Sequence, residues 1–157
     1  MKQKIDSTTI DLNGFPGFDA DFTPSPGGSY VSVNIRGKIA YVAIQFPIDK
    51  SGYHFQGKLG AEISTQHGYQ AAAMASLNVL AQINKYVGFE NVDGLNHVDI
   101  YYSSIEDWDE APIVANGASD VFIKALGLKG IHSRALFGVH VLPRKFCVGI
   151  TASFTLV

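Results

Sequence analysis

The strongest candidate for chemistry in this sequence is an arginine at the start of an apolar strand. Arg134 follows a glycine-containing turn, Gly127 to Ser133, and precedes the apolar run Ala135 to Leu142. An arginine in this position can hold a carboxylate through two parallel hydrogen bonds, because its guanidinium is planar and permanently charged. A structural role, as a contact between subunits or a tether for a loop, fits the same residue, and the pattern alone leaves both roles open.

Other kinds of catalytic site have little support in the sequence. The five histidines are scattered, without the spacings that hold a metal ion, so we expect no metal site. The single cysteine, Cys147, lies in an apolar run and is predicted to be a buried, unreactive thiol. Neither a nucleophile elbow nor a phosphate-binding loop is present. Acidic residues around Trp108 precede a predicted helix and fit the positive end of its dipole better than an acid–base pair.

Composition excludes several classes of protein. The chain has 157 residues, with 12 lysines and arginines against 14 aspartates and glutamates. This length fits one domain, and the pI of 6.2 argues against a partner bound through nucleic-acid phosphates. No run of 18 apolar residues and no secretory signal is present, so we expect no membrane partner and a cytoplasmic location. Charged residues make up only 17%, which indicates that self-association covers some surface.

Hydrophobic periodicity predicts the elements in the first half of the chain, which help to position Arg134. A hairpin is predicted over Tyr30 to Pro47, where alternating apolar residues lead into a nearly continuous apolar run. A helix is predicted over 64–88, from an apolar stripe at spacings of three and four with Ser64 as its N-cap. Between them, Asp49 to Gly60 contains three glycines and is predicted to be a loop.

The second half continues the alternation of strands and helices. A strand is predicted over Leu95 to Ser103 and a helix over Ile113 to Leu126. Two further strands are predicted over Ala135 to Leu142 and Cys147 to Val157. The order β-β-α-β-α-β-β indicates an α+β domain with two helices packed on one sheet.

The start of the chain differs in character from the rest. Residues 1–23 are predicted to form an irregular N-terminal arm, because turn-forming pairs interrupt them, and 24–157 to form a single domain. A loosely ordered terminus is the alternative. Three phenylalanines are candidate anchors for the arm: Phe15, Phe18 and Phe22.

Several motifs follow one another in an order that a known family shares. The last strand pair contains Arg134-Ala-Leu-Phe-Gly-Val-His-Val-Leu-Pro143, an arginine followed by a short apolar strand and Leu-Pro. Gly28-Ser-Tyr30 and the run Tyr41 to Pro47 form the first hairpin. Gly57 to Ser64 precedes the first helix, and Val114 to Asp120 lies on the second. Together these motifs, over residues 24–157, resemble the Rid family (RidA/YjgF), the reactive-intermediate deaminases.

The resemblance implies a fold, an assembly and an activity. It implies a chorismate mutase-like subunit in a homotrimer, with the helices outside and the sheets forming an inner barrel. Catalytic members hydrolyse a 2-imino acid or an enamine to a 2-keto acid and ammonia, in clefts between subunits and without a cofactor. We therefore expect a small carboxylate-bearing ligand and no cofactor. An older label of the family implies ribonuclease activity, which the acidic pI and the lack of a basic stripe count against.

The resemblance also assigns roles to residues. Arg134 matches the arginine that grips the substrate carboxylate, and Leu136 occupies the place whose backbone N–H meets the ligand. Tyr30 matches a tyrosine that lines the cleft, and Asn116 matches an asparagine near it on the second helix. As plain alternatives, Tyr30 is part of a strand surface and Asn116 is a helix-surface amide.

Two positions depart from the catalytic members. Gly149 stands where they carry a glutamate that positions water, and Ile44 stands where they carry a glycine beside the ligand. Glycine has no side chain for acid–base catalysis. His140 is a candidate replacement base, because strand alternation puts it on the side of Arg134, although a solvent-facing or core histidine is commoner. The sequence therefore leaves open an imine deaminase and a non-catalytic ligand-binding or regulatory member.

Overall fold

Alternating apolar residues build a sheet in the computed structural model, which describes residues 12–15 and 18–157. In chain order, the strands and α-helices of these residues are β1 (Val33–Arg36), β2 (Ile39–Gln45), β3 (Ile48–Asp49), β4 (Gly52–Tyr53), α1 (Thr65–Tyr86), β5 (Val92–Tyr102), α2 (Ala111–Leu126), β6 (Ser133–Gly138) and β7 (Val148–Leu156). Five strands form one sheet in the order β1-β2-β7-β5-β6, and β3 pairs with β4 separately. This is the predicted α+β architecture of two helices on one mixed sheet.

The sheet has two edges that matter for function. β6 lies at one edge and pairs in parallel with β5, whereas the other neighbouring strands pair antiparallel. β1 lies at the opposite edge. In the parallel pair, Val98 is opposite Arg134 and Ile100 is opposite Leu136. Since Val98 and Ile100 are buried in the core, this register directs the side chains of Arg134 and Leu136 toward the helices.

The core lies between one face of the sheet and the two helices. Its largest buried members include side chains from both layers: Leu80, Ile83, Phe122, Ile100, Ile150 and Phe154. The helices approach each other closely at Gly117 of α2, where an added Cβ would overlap the backbone carbonyl of Tyr69 in α1. This approach fixes the position of α2 relative to α1.

Most predicted elements are present with small shifts in their bounds. The hairpin over Tyr30 to Pro47 is β1 and β2, and the helix over 64–88 is α1. Ser64 caps that helix as predicted, because its hydroxyl accepts the backbone N–H of His67 at 3.1 Å. The second helix begins two residues earlier than predicted, at Ala111.

Two stretches differ from the predictions. The predicted loop Asp49 to Gly60 contains part of the short β3–β4 hairpin. Asp49 accepts hydrogen bonds there from Ser51 at 2.6 Å and His54 at 2.7 Å, and these bonds lower the pKa of its carboxyl to about 2. The strand predicted over Ala135 to Leu142 begins at Ser133 and ends at Gly138. It ends early because β5 itself ends at Tyr102, whose carbonyl accepts the backbone N–H of Val139 at 2.8 Å. The next carbonyl, that of His140, accepts hydrogen bonds from the side chains of Lys58 and Ser103.

Part of the predicted N-terminal arm lies outside the described residues, namely 1–11, 16 and 17. Of the described part, Phe15 and Phe18 pack against the core, and Phe22 is partly buried. The prediction of an irregular arm over 1–23 therefore stays a prediction. Within the ranges that the structure describes, no helix meets the length and apolarity required to span a membrane.

Candidate functional site

Arg134 lies on the edge strand β6 and extends its side chain over helix α2. Its Nη1 donates to Asn116 Oδ1 at 2.9 Å and to Ser119 Oγ at 3.1 Å. Its Nη2 makes a longer contact with the carbonyl oxygen of Pro112, at 3.4 Å. The structure thus brings together two of the predicted site residues, Arg134 and Asn116, and adds two partners from the same helix.

The helical repeat explains why α2 supplies these partners. Pro112, Asn116 and Ser119 are separated by four and three residues, so they lie on one stripe of the helix. Gly117 and Ala118, on the other side, are buried against α1 and the core. Sequence reasoning missed Ser119 and Pro112. Their spacing from Asn116 is the signal that could have identified them.

The charge of Arg134 has no carboxylate partner among the described residues. Its three acceptors are an amide, a hydroxyl and a backbone carbonyl, and all three are neutral. The ion pairs among the described residues involve other side chains. A guanidinium has five N–H donors, and three of them are used here. The remaining Nε–H and one Nη2–H point to no acceptor in the described chain. This half-buried arginine is therefore oriented by neutral groups and keeps both its charge and two donors for an anion.

Asn116 also keeps binding capacity. Because arginine only donates hydrogen bonds, the atom of Asn116 that faces it is the acceptor Oδ1, and the Nδ2 amide points away. Asn116 is exposed on α2, so this amide can donate to a ligand held by Arg134. Leu136 lies two residues further along β6, on the same side as Arg134, and packs partly against the core.

Tyr30 and Ile44 lie in a different part of the molecule from Arg134. Tyr30 precedes β1 rather than belonging to a strand, is 50% exposed, and accepts the backbone N–H of Gly27 with its hydroxyl at 3.0 Å. β1 and β6 are the opposite edges of the sheet, four strand spacings apart, which corresponds to roughly 19 Å. Within one chain, Tyr30 and Arg134 therefore do not line a common cleft.

Ile44 and Gly149, the two departures from the catalytic pattern, are in contact. Ile44 lies where the pairing of β2 with β7 shifts, between Val42 and Gln45. A Cβ added at Gly149 would lie 2.8 Å from Cδ1 of Ile44 and 2.7 Å from Cε1 of Phe46. The space in which a side chain at position 149 would begin is thus filled by apolar atoms.

His140 lies beyond the end of β6, so strand alternation from Arg134 does not extend to it. Its backbone carbonyl accepts hydrogen bonds from Lys58 Nζ at 2.5 Å and Ser103 Oγ at 2.9 Å. Its ring is exposed and makes no hydrogen bond within the described part of the chain. The role of His140 as a base stays a prediction.

Cys147 is fully buried, as the sequence predicts. Burial raises the pKa of its thiol to about 12, so the nucleophilic thiolate is scarce near neutral pH. Among the residues that the structure describes, no three histidine, cysteine or acidic side chains come together in a way that would hold a metal ion.

Comparison with known proteins places this geometry in a family. The family described as "YjgF/chorismate_mutase-like, putative endoribonuclease" matches residues 18–153. Protein TCP17 of Trypanosoma cruzi is 31% identical over 130 residues, which cover 82% of this chain and 81% of that protein.

Solved structures share the fold. The crystal structure of a "putative endoribonuclease" from Shewanella oneidensis superposes with a TM-score of 0.86 and 26% identity, over 89% of this chain and 93% of that one. Escherichia coli TdcF with bound serine superposes with a TM-score of 0.61 and 17% identity, over 85% and 92%. Because the family pattern matches nearly the whole chain and the sheet has the corresponding architecture, this chain belongs to the YjgF/chorismate mutase-like family.

Proposed function

We propose that this protein binds a small carboxylate-bearing metabolite, with Arg134 as the residue that holds the carboxylate. The observation that carries the proposal is the state of Arg134: a half-buried guanidinium that neutral groups orient, with no carboxylate partner in the described chain and two donors left. Burial of a charge is unfavourable unless an opposite charge pairs with it. An anionic ligand bound to Arg134 would supply that opposite charge. The serine bound to TdcF, a distant relative in fold, belongs to this class of ligand.

The cleft in this proposal lies between two subunits of a homotrimer. Tyr30 and Arg134 lie at opposite edges of the sheet, so a cleft that contains both needs a second copy of the chain. The face of the sheet away from the helices supports association as well. It exposes aromatic side chains, with Tyr41 52% and Phe137 44% exposed. Tyr101 stacks on Phe137 there with ring centroids 5.2 Å apart.

The reaction to test is hydrolysis of a 2-imino acid to a 2-keto acid and ammonia. The packing around Gly149 favours binding without efficient hydrolysis, because Ile44 and Phe46 fill the space where an acid–base side chain would begin. We therefore infer a ligand-binding or regulatory role as the function, with deamination as the alternative. Ribonuclease activity, which the names of relatives suggest, is the third function that the experiments distinguish.

The test compares wild type with Arg134→Ala and Arg134→Lys. Titration calorimetry with L-serine and 2-oxobutyrate measures affinity, and L-serinamide is the ligand control that lacks the carboxylate. We expect Arg134→Ala to weaken binding about tenfold to hundredfold, because a charge-assisted hydrogen bond contributes about 1.5–3 kcal/mol. Arg134→Lys keeps the charge but not the planar pair of donors, and is expected to recover only part of the affinity.

Ammonia release from a freshly generated 2-imino acid is measured on the same three proteins. Release at the buffer rate supports the binding role, whereas faster release that Arg134→Ala abolishes establishes a deaminase. Equal affinity of wild type and Arg134→Ala for every carboxylate, with both proteins folded, contradicts the proposed function. A salt-sensitive shift of RNA in a gel would favour the ribonuclease role instead.

A further inference from the structure

A histidine outside the predicted site is linked to Arg134 through one hydroxyl. Ser119 Oγ, which accepts a hydrogen bond from Arg134 Nη1 at 3.1 Å, also lies 3.0 Å from His132 Nε2. On the other side of the ring, His132 Nδ1 lies 2.6 Å from the carbonyl oxygen of Gly130. A continuous chain of hydrogen bonds therefore runs from the backbone at Gly130 through His132 and Ser119 to the guanidinium.

For the neutral ring, the chemistry of the partners sets the direction of these hydrogen bonds. A carbonyl oxygen only accepts, so Nδ1 of His132 carries the hydrogen that points to Gly130. In the neutral ring, Nε2 then has a lone pair and accepts the hydroxyl hydrogen of Ser119. With its hydrogen committed to His132, the Ser119 oxygen turns a lone pair toward Arg134. The hydrogen bond to His132 thus holds the Ser119 side chain in the position from which its oxygen accepts from the arginine.

Packing holds the histidine itself in place. Its ring meets the ring of Phe122 edge-on, with centroids 5.8 Å apart, and Phe122 is completely buried. The backbone at Gly130 is equally confined, because an added Cβ there would overlap the carbonyl of Phe122. His132 is therefore anchored to the core on one side and to Ser119 on the other.

We propose that His132 is a positioning residue that acts through Ser119 to orient Arg134 for its carboxylate ligand. The proposal rests on the proposed function, since it assumes that Arg134 meets an anion. Asn116 and Ser119 occupy the two hydrogens of Nη1, and two acceptors on one nitrogen fix the plane of the guanidinium. That plane decides where the free Nε–H and Nη2–H point, and a carboxylate requires both in parallel. When His132 does not hold Ser119 in this position, the serine oxygen is free to leave Nη1, Arg134 samples other orientations and ligand binding weakens.

The experiment uses two amides that each reproduce one side of the histidine ring. His132→Gln places an acceptor near the position of Nε2, so it keeps the hydrogen bond to Ser119. His132→Asn places a donor near the position of Nδ1, so it keeps the hydrogen bond to Gly130 and loses the hydrogen bond to Ser119. Ser119→Ala removes the link directly. Each protein is examined as the full-length assembly, by NMR of the Arg134 side-chain N–H groups without ligand and by calorimetry with L-serine.

We expect His132→Asn and Ser119→Ala to weaken L-serine binding about threefold to tenfold, the effect of one hydrogen bond, and to change the Arg134 N–H signals in the same way. His132→Gln is expected to stay within about twofold of wild type, because the acceptor is retained. Equal effects of His132→Asn and His132→Gln, or unchanged Arg134 signals in folded Ser119→Ala, would overturn the proposal. The NMR measurement needs no ligand, so it tests positioning even if Arg134→Ala shows that the proposed function is wrong.

Discussion

Gly149 and Ile44 lie far apart in the sequence but meet across the β2–β7 pair, so their contact constrains both positions. The sequence predicted that glycine at position 149 removes an acid–base side chain. It did not predict that Ile44 and Phe46 occupy the adjacent space, because that contact depends on the shift in pairing at Ile44. A glutamate restored at position 149 is therefore expected to require displacement of the Ile44 and Phe46 side chains.

We expect Gly149→Ala to lower the free energy of unfolding by about 1–3 kcal/mol, the usual effect of adding a methyl group where packed side chains leave no space. The added carbon would lie 2.7–2.8 Å from the side chains of Phe46 and Ile44. Denaturant unfolding measures the change. In the double variant Ile44→Ala/Gly149→Ala the penalty of the glycine substitution should shrink. Additive effects of the two substitutions would show that the contact is not the cause.

The chemistry of the candidate site was predicted only in part. Arg134 and Asn116 were predicted, and the structure joins them directly at 2.9 Å. Ser119 and His132 were not assigned to the site. Their roles depend on the rotation of α2 relative to β6, which is set by tertiary packing rather than by residue type. Sequence patterns indicate which face of an element is apolar, but they do not fix which polar side chains of two elements meet.

At the scale of elements, the helix pair α1–α2 positions the partners of Arg134, and Gly117 determines how closely the two helices pack. An added Cβ at Gly117 would meet the backbone of Tyr69, which cannot move without displacing α1. At Gly68 of α1, an added Cβ would meet the side chains of Leu59 and Val114, at 2.5 and 2.8 Å. Side chains can change rotamer, whereas the helix backbone cannot.

Gly117→Ala is therefore expected to destabilise the protein more than Gly68→Ala, by about 2 kcal/mol or more. Both changes replace a helical glycine by alanine, so intrinsic helix propensity, about 1 kcal/mol in a helix interior, favours the alanine in each case. Thermal or denaturant unfolding of the two variants provides the comparison. If the order is reversed, the close approach of the helices at Gly117 does not determine their packing.

The longer elements were predicted well because their periodicity extends over many residues. α1, α2, β5 and β7 show repeated spacings of apolar residues, and β2 shows a nearly continuous apolar run. The two-residue strands β3 and β4 are too short to show a period, and glycines indicated a loop instead. The end of β6 was misplaced because apolar residues continue to Leu142, whereas the strand ends where side chains of Lys58 and Ser103 bind the His140 carbonyl.

At the scale of the whole molecule, the positions of Tyr30 and Arg134 at opposite sheet edges can be tested by mixing subunits. Arg134→Ala and Tyr30→Ala chains are each expected to lack complete clefts as pure assemblies. When the two are unfolded and refolded together in equal amounts, about a quarter of the clefts should combine a native Tyr30 with a native Arg134, if each cleft joins two subunits of a ring. Calorimetry with L-serine counts the restored sites.

Recovery of ligand binding only after mixed refolding supports a cleft shared between subunits. Light scattering on the same samples measures the assembly size, for which we expect a trimer. A stable monomer that still binds L-serine contradicts the shared cleft. So does a mixture with no more sites than the separate variants.

The sheet edges have a second consequence, for the behaviour of the isolated chain. β1 and β6 are both edge strands, and an edge presents unpaired backbone N–H and C=O groups that can recruit any other exposed strand. In the proposed trimer a neighbouring copy covers these edges, so assembly protects against aggregation as well as completing the cleft. A substitution that weakens the subunit contact is then expected to reduce solubility before it reduces secondary structure. In a cell, such a variant would lose ligand binding because it precipitates, and it would not persist as an inactive, soluble monomer.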